Sequence, residues 1–180
     1  MNQASPAFRF LARLTVAWFG LLAVAQANEP VYVPKAQHIK GPVYAIVGPL
    51  GQRSTANAGL NANYGFVITD SGVILIDSGA SAHSAALLDK AIKQVTPKPV
   101  RWVLNTGSQD HRWLGNDYFS RQGAQIHAMS ATVQTQKAAA QQQIAGMTRF
   151  VGDQMKGTVP KHADQVHADS EASLTLGGVA

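Results

Sequence analysis

The sequence predicts a single layered domain of the α/β (α+β) class, and three observations support this. Strand-like apolar runs come first along the chain, and strand and helix patterns then alternate, which is typical of helices packed on a sheet. The length of 180 residues suits one domain. With 46% hydrophobic and 14% charged residues, the composition is that of a folded globular chain.

The first 27 residues have the pattern of a secretory signal peptide. Arg9 and Arg13 give a positive start, residues 14–24 are apolar and uncharged, and Ala25-Gln26-Ala27 is a small-x-small cleavage pattern. A membrane anchor is the alternative, but a span needs about 20 apolar residues, and this run is shorter. We therefore expect export, to the periplasm in a Gram-negative source, with no stable membrane anchor after cleavage.

An irregular, proline-containing leader is expected over residues 28–40, followed by the domain over residues 41–180. The domain opens with three apolar runs that contain β-branched residues and predict strands: residues 43–47, 64–69 and 73–76. Asp70-Ser71-Gly72 predicts a tight hairpin turn, since Asp starts turns and Gly tolerates positive φ. Residues 52–63 are small and polar and predict a loop.

Helices and strands alternate in the rest of the chain. Ser81 predicts the N-cap of the first helix, and Pro97 and Pro99 stop that helix. Ser130 is expected to cap a long helix rich in Ala and Gln, which are good helix formers. The predicted helices are residues 82–95, 113–121 and 131–154, and the predicted strands are residues 100–104, 124–128 and 174–176.

Composition and motifs argue against several classes of function. The formal net charge is +5, but the basic residues are scattered, whereas a nucleic-acid interface needs a clustered basic surface. There is no cysteine, so a metal site would need His and carboxylate ligands. Neither a Gly-x-Ser-x-Gly nucleophile turn nor a phosphate-binding loop is present in the sequence.

One loop carries the most specific signal. After the strand at residues 100–104 the chain reads Asn105-Thr106, then Asp110-His111, then Gly115-Asn116. This resembles the metal loop of the metallo-β-lactamase superfamily, whose pattern is Asn-Thr-His-x-His-x-Asp-His-x-x-Gly-Asn. The loop is one residue shorter between Thr106 and Asp110, and neither of the two earlier family histidines has a counterpart. On its own, an Asp-His pair is also common at the start of a helix.

The resemblance implies an αββα sandwich, of which this chain carries the first half. It implies that Asp110 and His111 bind a metal and that Asp110 orients the attacking water. It also implies that Asp77 orients a metal-bound histidine, and Gln109 offers a nearby amide oxygen. Zinc is the expected metal, with iron or manganese as alternatives. A catalytic zinc has three protein ligands, and this loop offers two; the resemblance implies that the remaining ligands follow Ala180.

Three hypotheses follow. The chain is an exported metal-dependent hydrolase that acts on a small ester, thioester, lactone or amide through metal-bound hydroxide, or a non-catalytic binding module of the same fold, or an inactive fragment. The other histidines show no short ligand spacing, and we expect each to be structural or solvated: His38, His83, His127, His162 and His167.

Overall fold

The computed structural model describes residues 31–168 and 171–179. The predicted signal peptide, residues 1–27, therefore lies outside the described residues. Among the helices of the described part, none is both long and apolar enough to cross a membrane.

A single mixed sheet of seven strands forms the centre of the described part. The strands lie side by side in sequence order. The first four are paired antiparallel and the last four parallel. They are β1 (Ala36–Lys40), β2 (Val43–Ile46), β3 (Tyr64–Ile68), β4 (Val73–Ile76), β5 (Val100–Asn105), β6 (Gln125–Met129) and β7 (Gln165–His167). The predicted layered fold class is confirmed.

Four α-helices connect the parallel strands: α1 (Ala82–Lys93), α2 (Asp110–Trp113), α3 (Asn116–Ser120) and α4 (Ser130–Val151), the last continuing into a 3-10 turn at Gly152–Met155. Ser81 caps α1 as predicted, because its side chain accepts a hydrogen bond from the backbone N–H of Ser84, and Ser84 Oγ accepts one from the Ser81 N–H. This reciprocal pair satisfies donors that the helix start leaves free.

The main core lies between one face of the sheet and helices α1 and α3. Phe66, Leu75 and Val103 from the sheet pack with Leu88 of α1, and all four side chains are buried. A smaller cluster under α4 contains Trp113, Leu114, Met147 and Val151. Because Trp113 belongs to α2, this second cluster fixes the loop that leads from β5 into α2.

Several boundaries differ from the sequence predictions. The leader is not irregular to its end, because residues 36–40 pair with β2 as strand β1. The predicted strand at 174–176 is wrong, since within 171–179 Leu176 makes an isolated bridge to Val179. The predicted helix at 113–121 is instead two short helices, α2 and α3. Strand β7 was missed because its polar sequence, Gln-Val-His, shows no apolar run.

Candidate functional site

The candidate site lies at the edge of the sheet where the parallel strands β4 and β5 end. Ligands of open α/β sheets bind at this edge, outside the carboxyl ends of the strands. Asp77 directly follows β4 with φ of 61°, a left-handed backbone conformation that Asp tolerates better than most residues. After β5, residues 106–109 form the loop that carries the chain into α2, and α2 begins at Asp110.

Asp77 binds the loop and not a histidine. Its carboxylate accepts hydrogen bonds from the Thr106 backbone N–H at 2.8 Å and the Thr106 hydroxyl at 2.7 Å. Arg112 Nη1 lies 3.1 Å from Asp77 Oδ2 and also donates to the Thr106 hydroxyl oxygen. Burial raises the pKa of Asp77, and the Thr106 hydrogen bonds and the Arg112 charge oppose this without cancelling it. The carboxylate that the resemblance assigned to orienting a metal ligand instead ties β4 to the loop.

Gly115 and Asn116 of the family motif pack against the residues that flank the loop. Asn116 is fully buried, and its amide oxygen accepts from Ser78 Oγ at 2.8 Å and from Asn105 Nδ2 at 3.0 Å. Its amide nitrogen donates to Asn105 Oδ1 at 2.8 Å and to the Lys161 carbonyl at 2.9 Å. Gly115 passes so close to the Ser78 carbonyl that a side chain would collide with it. The motif is therefore a packing device that joins β4, β5 and α3.

Asp110 and His111, which are consecutive in the sequence, both contact a third residue. The guanidinium of Arg53, from the loop between β2 and β3, donates through Nη1 to Asp110 Oδ2 at 2.7 Å. Its Nη2 lies 2.6 Å from Asp110 Oδ1 and 3.1 Å from His111 Nδ1. This two-pronged contact is the strong geometry of an arginine–carboxylate pair. Side-chain exposure is 24% for Arg53 and 11% for Asp110, so the pair is largely shielded from water.

These contacts set the direction of the pKa shift of Asp110 and the hydrogen-bonding role of His111. Burial alone would raise the pKa of Asp110, but hydrogen bonds from His111 and the Arg53 charge outweigh it and lower that pKa. His111 Nδ1 cannot serve both neighbours at once: a guanidinium has no acceptor, so a neutral ring that accepts from Arg53 at Nδ1 carries its proton on Nε2 and makes no side-chain hydrogen bond to Asp110. A protonated ring would instead donate from Nδ1 to Asp110 Oδ1, 3.2 Å away.

The donor set does not fit the expected zinc, iron or manganese. Asp110 and His111 already contact the guanidinium of Arg53. Gln109 Oε1 accepts a hydrogen bond from Arg112 Nε at 2.6 Å. The loop carbonyls of Gly107 and Ser108 accept from glutamine side chains of α4. Within the described ranges, no group of three or more His, Asp or Glu side chains is placed to hold a metal ion. Two donors are fewer than a catalytic zinc uses.

Two residues of this site were missed by the sequence analysis. Arg53 was placed in a small polar loop, although it is the sole charged residue between 52 and 63, which was a usable signal. Tyr64 of β3 is 3% exposed, and its hydroxyl has no hydrogen-bond partner within the described part of the chain. Burial, together with the nearby charge of Asp77, raises the pKa of Tyr64. Tyr64 therefore remains neutral next to the charged side chains of the site.

Comparisons with known proteins agree with the predicted family resemblance. Residues 58–133 match the model of the metallo-beta-lactamase superfamily. No curated protein matches the chain by sequence. The structure resembles a metallo-beta-lactamase from Pontibacter korlensis, with TM-score 0.55, 18% identity, and coverage of 81% of this chain and 57% of that chain. It also resembles one from Hirschia baltica, with TM-score 0.55, 16% identity, and coverage of 78% and 54%.

A third similar structure is the DIM-1 metallo-beta-lactamase exposed to ceftazidime, with TM-score 0.56, 14% identity, and coverage of 81% of this chain and 57% of that chain. The resemblance and the fold class are thereby confirmed: the chain has the metallo-β-lactamase fold in part. It spans just over half the length of the solved structures it matches.

Proposed function

We propose that the chain is a non-catalytic binding module of the metallo-β-lactamase fold, in which arginine–carboxylate pairs stand where metal ligation is expected. The observation that carries the proposal is the Arg53 guanidinium, which contacts both oxygens of Asp110 and also His111. A metal ion could reach these donors only by displacing the guanidinium, so metal binding would have to offset the loss of the Arg53 ion pair, which is largely shielded from water.

Small molecules that carry a carboxylate are the ligand class that the site supports. In both ion pairs the arginine is more exposed than its partner: 24% against 11% for Arg53 and Asp110, and 33% against 5% for Arg112 and Asp77. The charge nearest to solvent is therefore positive, although the four groups together are neutral. Guanidinium groups match carboxylates through paired hydrogen bonds, so an anionic ligand would dock on their outer N–H groups.

Metal-dependent hydrolysis of an ester, thioester, lactone or amide is the second candidate. It is favoured by the match of residues 58–133 to the superfamily and by Asp110 and His111 lying together at the strand ends. In that reading, zinc would supply the hydroxide that attacks the substrate. The missing donors count against it.

Benzylpenicillin distinguishes the two candidates, because it carries both a carboxylate and a β-lactam amide. We expect saturable binding by calorimetry and no ring opening by absorbance, with or without added zinc. Arg112→Met should weaken binding, whereas Arg149→Met, an exposed arginine of α4, should not. Zinc-dependent hydrolysis of benzylpenicillin would establish the hydrolase instead, provided that Asp110→Asn abolishes it. Zinc-dependent hydrolysis of a p-nitrophenyl ester, of a thioester or of a lactone would do the same under the same condition. Absence of both binding and turnover would refute the module and favour an inactive fragment.

Export is part of the proposal, and its support is the pattern of residues 1–27. The partner is a small molecule and not a nucleic acid, because the basic residues form no cluster along the sequence. Fractionation of the source cells, with the mature N-terminus read by mass spectrometry, tests export and cleavage before Asn28.

A further inference from the structure

A cluster of side chains of types that can bind metals lies on the sheet at β6 and β7, apart from the site formed by Arg53, Asp110 and His111. Successive side chains of a strand alternate between faces, so His127 and Met129 share one face of β6. In the parallel pairing of the two strands, Met129 lies opposite His167, which places His167 on the same face. The fold thereby places two imidazoles and one thioether on the same face from residues up to 40 positions apart.

The two imidazoles meet through their nitrogens. His127 Nδ1 lies 3.2 Å from His167 Nε2, and the rings are within 10° of parallel. His127 is 7% exposed, and its Nε2 atom has no partner in the described residues. The contact with His167 is therefore the hydrogen bond that the His127 ring makes within the described part of the chain.

A cavity of about 210 Å³ adjoins the pair. Its lining includes His127, Met129 and His167, together with Leu104 of β5 and Leu174 of the C-terminal segment. Glu171 stands at the same cavity and is exposed. The cluster is thus reachable from solvent while its walls are mainly apolar.

The ligand types select a soft cation. Thioether and imidazole together favour Cu(I), whereas Mg²⁺, Ca²⁺ and Mn²⁺ prefer oxygen ligands. Two imidazole nitrogens bound to one metal at roughly 2.0–2.1 Å lie about 3.3 Å apart at a tetrahedral angle. The observed 3.2 Å matches this separation. In the structure the two nitrogens share a hydrogen bond, so both rings would have to turn for their lone pairs to face a common ion.

We propose that His127, Met129 and His167 form a binding site for a soft monovalent cation, Cu(I), which binds at His127 Nδ1 and His167 Nε2 in place of their hydrogen bond, while the proton of that bond moves to the other nitrogen of the same ring. The binding involves no change of oxidation state, and the site is independent of the Asp110–His111 pair and of the proposed carboxylate binding.

Competition with bicinchoninate, a colorimetric Cu(I) chelator, under reducing conditions tests the site in the full chain. We expect the folded protein to withdraw one Cu(I) per chain. Met129→Leu, which conserves volume, and His167→Gln should each weaken binding by at least about 10–100-fold, the loss seen when even an outer partner of a metal ligand is removed. The control His83→Gln, at an exposed histidine of α1, should bind like the wild type.

Circular dichroism and urea unfolding show whether each variant remains folded, so that lost binding is assigned to lost ligands. Three results would overturn the proposal: no Cu(I) withdrawn by the folded wild type, unchanged affinity in both folded variants, or displacement of Cu(I) by an equal concentration of Zn²⁺. Because Asp110→Asn leaves this cluster untouched, it should bind Cu(I) normally even if the proposed carboxylate module is wrong.

Discussion

Replacing Arg53 by Met removes the guanidinium and keeps an unbranched apolar side chain of similar reach. In the wild type, both Asp110 oxygens pair with Arg53, at 2.7 and 2.6 Å. Breaking a buried pair by removing one partner costs about 3–5 kcal/mol, whereas an exposed pair contributes about 0–1 kcal/mol. With Arg53 24% and Asp110 11% exposed, this pair lies between these limits. We therefore expect Arg53→Met to lower the free energy of unfolding by roughly 2 kcal/mol.

Urea unfolding followed by circular dichroism measures this loss, with an unchanged m-value as evidence that the denatured state is the same. Adding Asp110→Asn should recover much of the loss, because a neutral amide no longer needs the cation, and the double-mutant cycle gives the coupling. Arg149→Met, on the exposed surface of α4, should change stability by less than about 0.5 kcal/mol. An equally small effect of Arg53→Met, or full additivity with Asp110→Asn, would refute the account.

Two further predictions concern the packing around Gly115 and the pH dependence of stability. Gly115→Ala should destabilise the fold by about 3 kcal/mol or more, because its methyl group would collide with the Ser78 carbonyl. The control Gly146→Ala in α4, whose methyl group would meet nothing within 4 Å, should stabilise the fold by up to about 1 kcal/mol. Similar thermal midpoints for the two variants would contradict this packing. The pKa of His162 is lowered by burial and then by nearby lysine charges, so its contribution to stability is complete above its ordinary pKa of about 6.5 and is lost as the pH falls below that value. Urea unfolding of His162→Gln should therefore show a weaker loss of stability on acidification than the wild type, and an identical pH profile would contradict the assignment.

Much of the architecture could be predicted because local signals and tertiary structure agree. The continuous apolar run of β4 is buried as expected, and Asp70-Ser71-Gly72 forms the hairpin turn, closed by a 2.8 Å bond from the Thr69 N–H to the Gly72 carbonyl. The Asn-Thr, Asp-His and Gly-Asn pairs identified the loop correctly. Each of these features is encoded within a few neighbouring residues.

The partners of the site could not be predicted in the same way. Arg53 is 57 residues from Asp110, and His127 is 40 residues from His167. Which loop folds over which strand end is decided by the packing of the whole sheet, and no local pattern reports it. His167 was expected to be structural or solvated because the sequence around it is polar, and only the pairing of β7 with β6 brings it against His127.

Zinc binding at the Asp110–His111 pair tests the central claim most directly. Equilibrium dialysis should use the His167→Gln variant, so that the cluster at β6 and β7 does not contribute, and should compare it with the same variant carrying Asp110→Asn. The account predicts no difference in bound zinc between the two proteins, because Arg53 already occupies the carboxylate and the imidazole. One equivalent of zinc that disappears with Asp110→Asn would contradict it and restore the metal-dependent hydrolase.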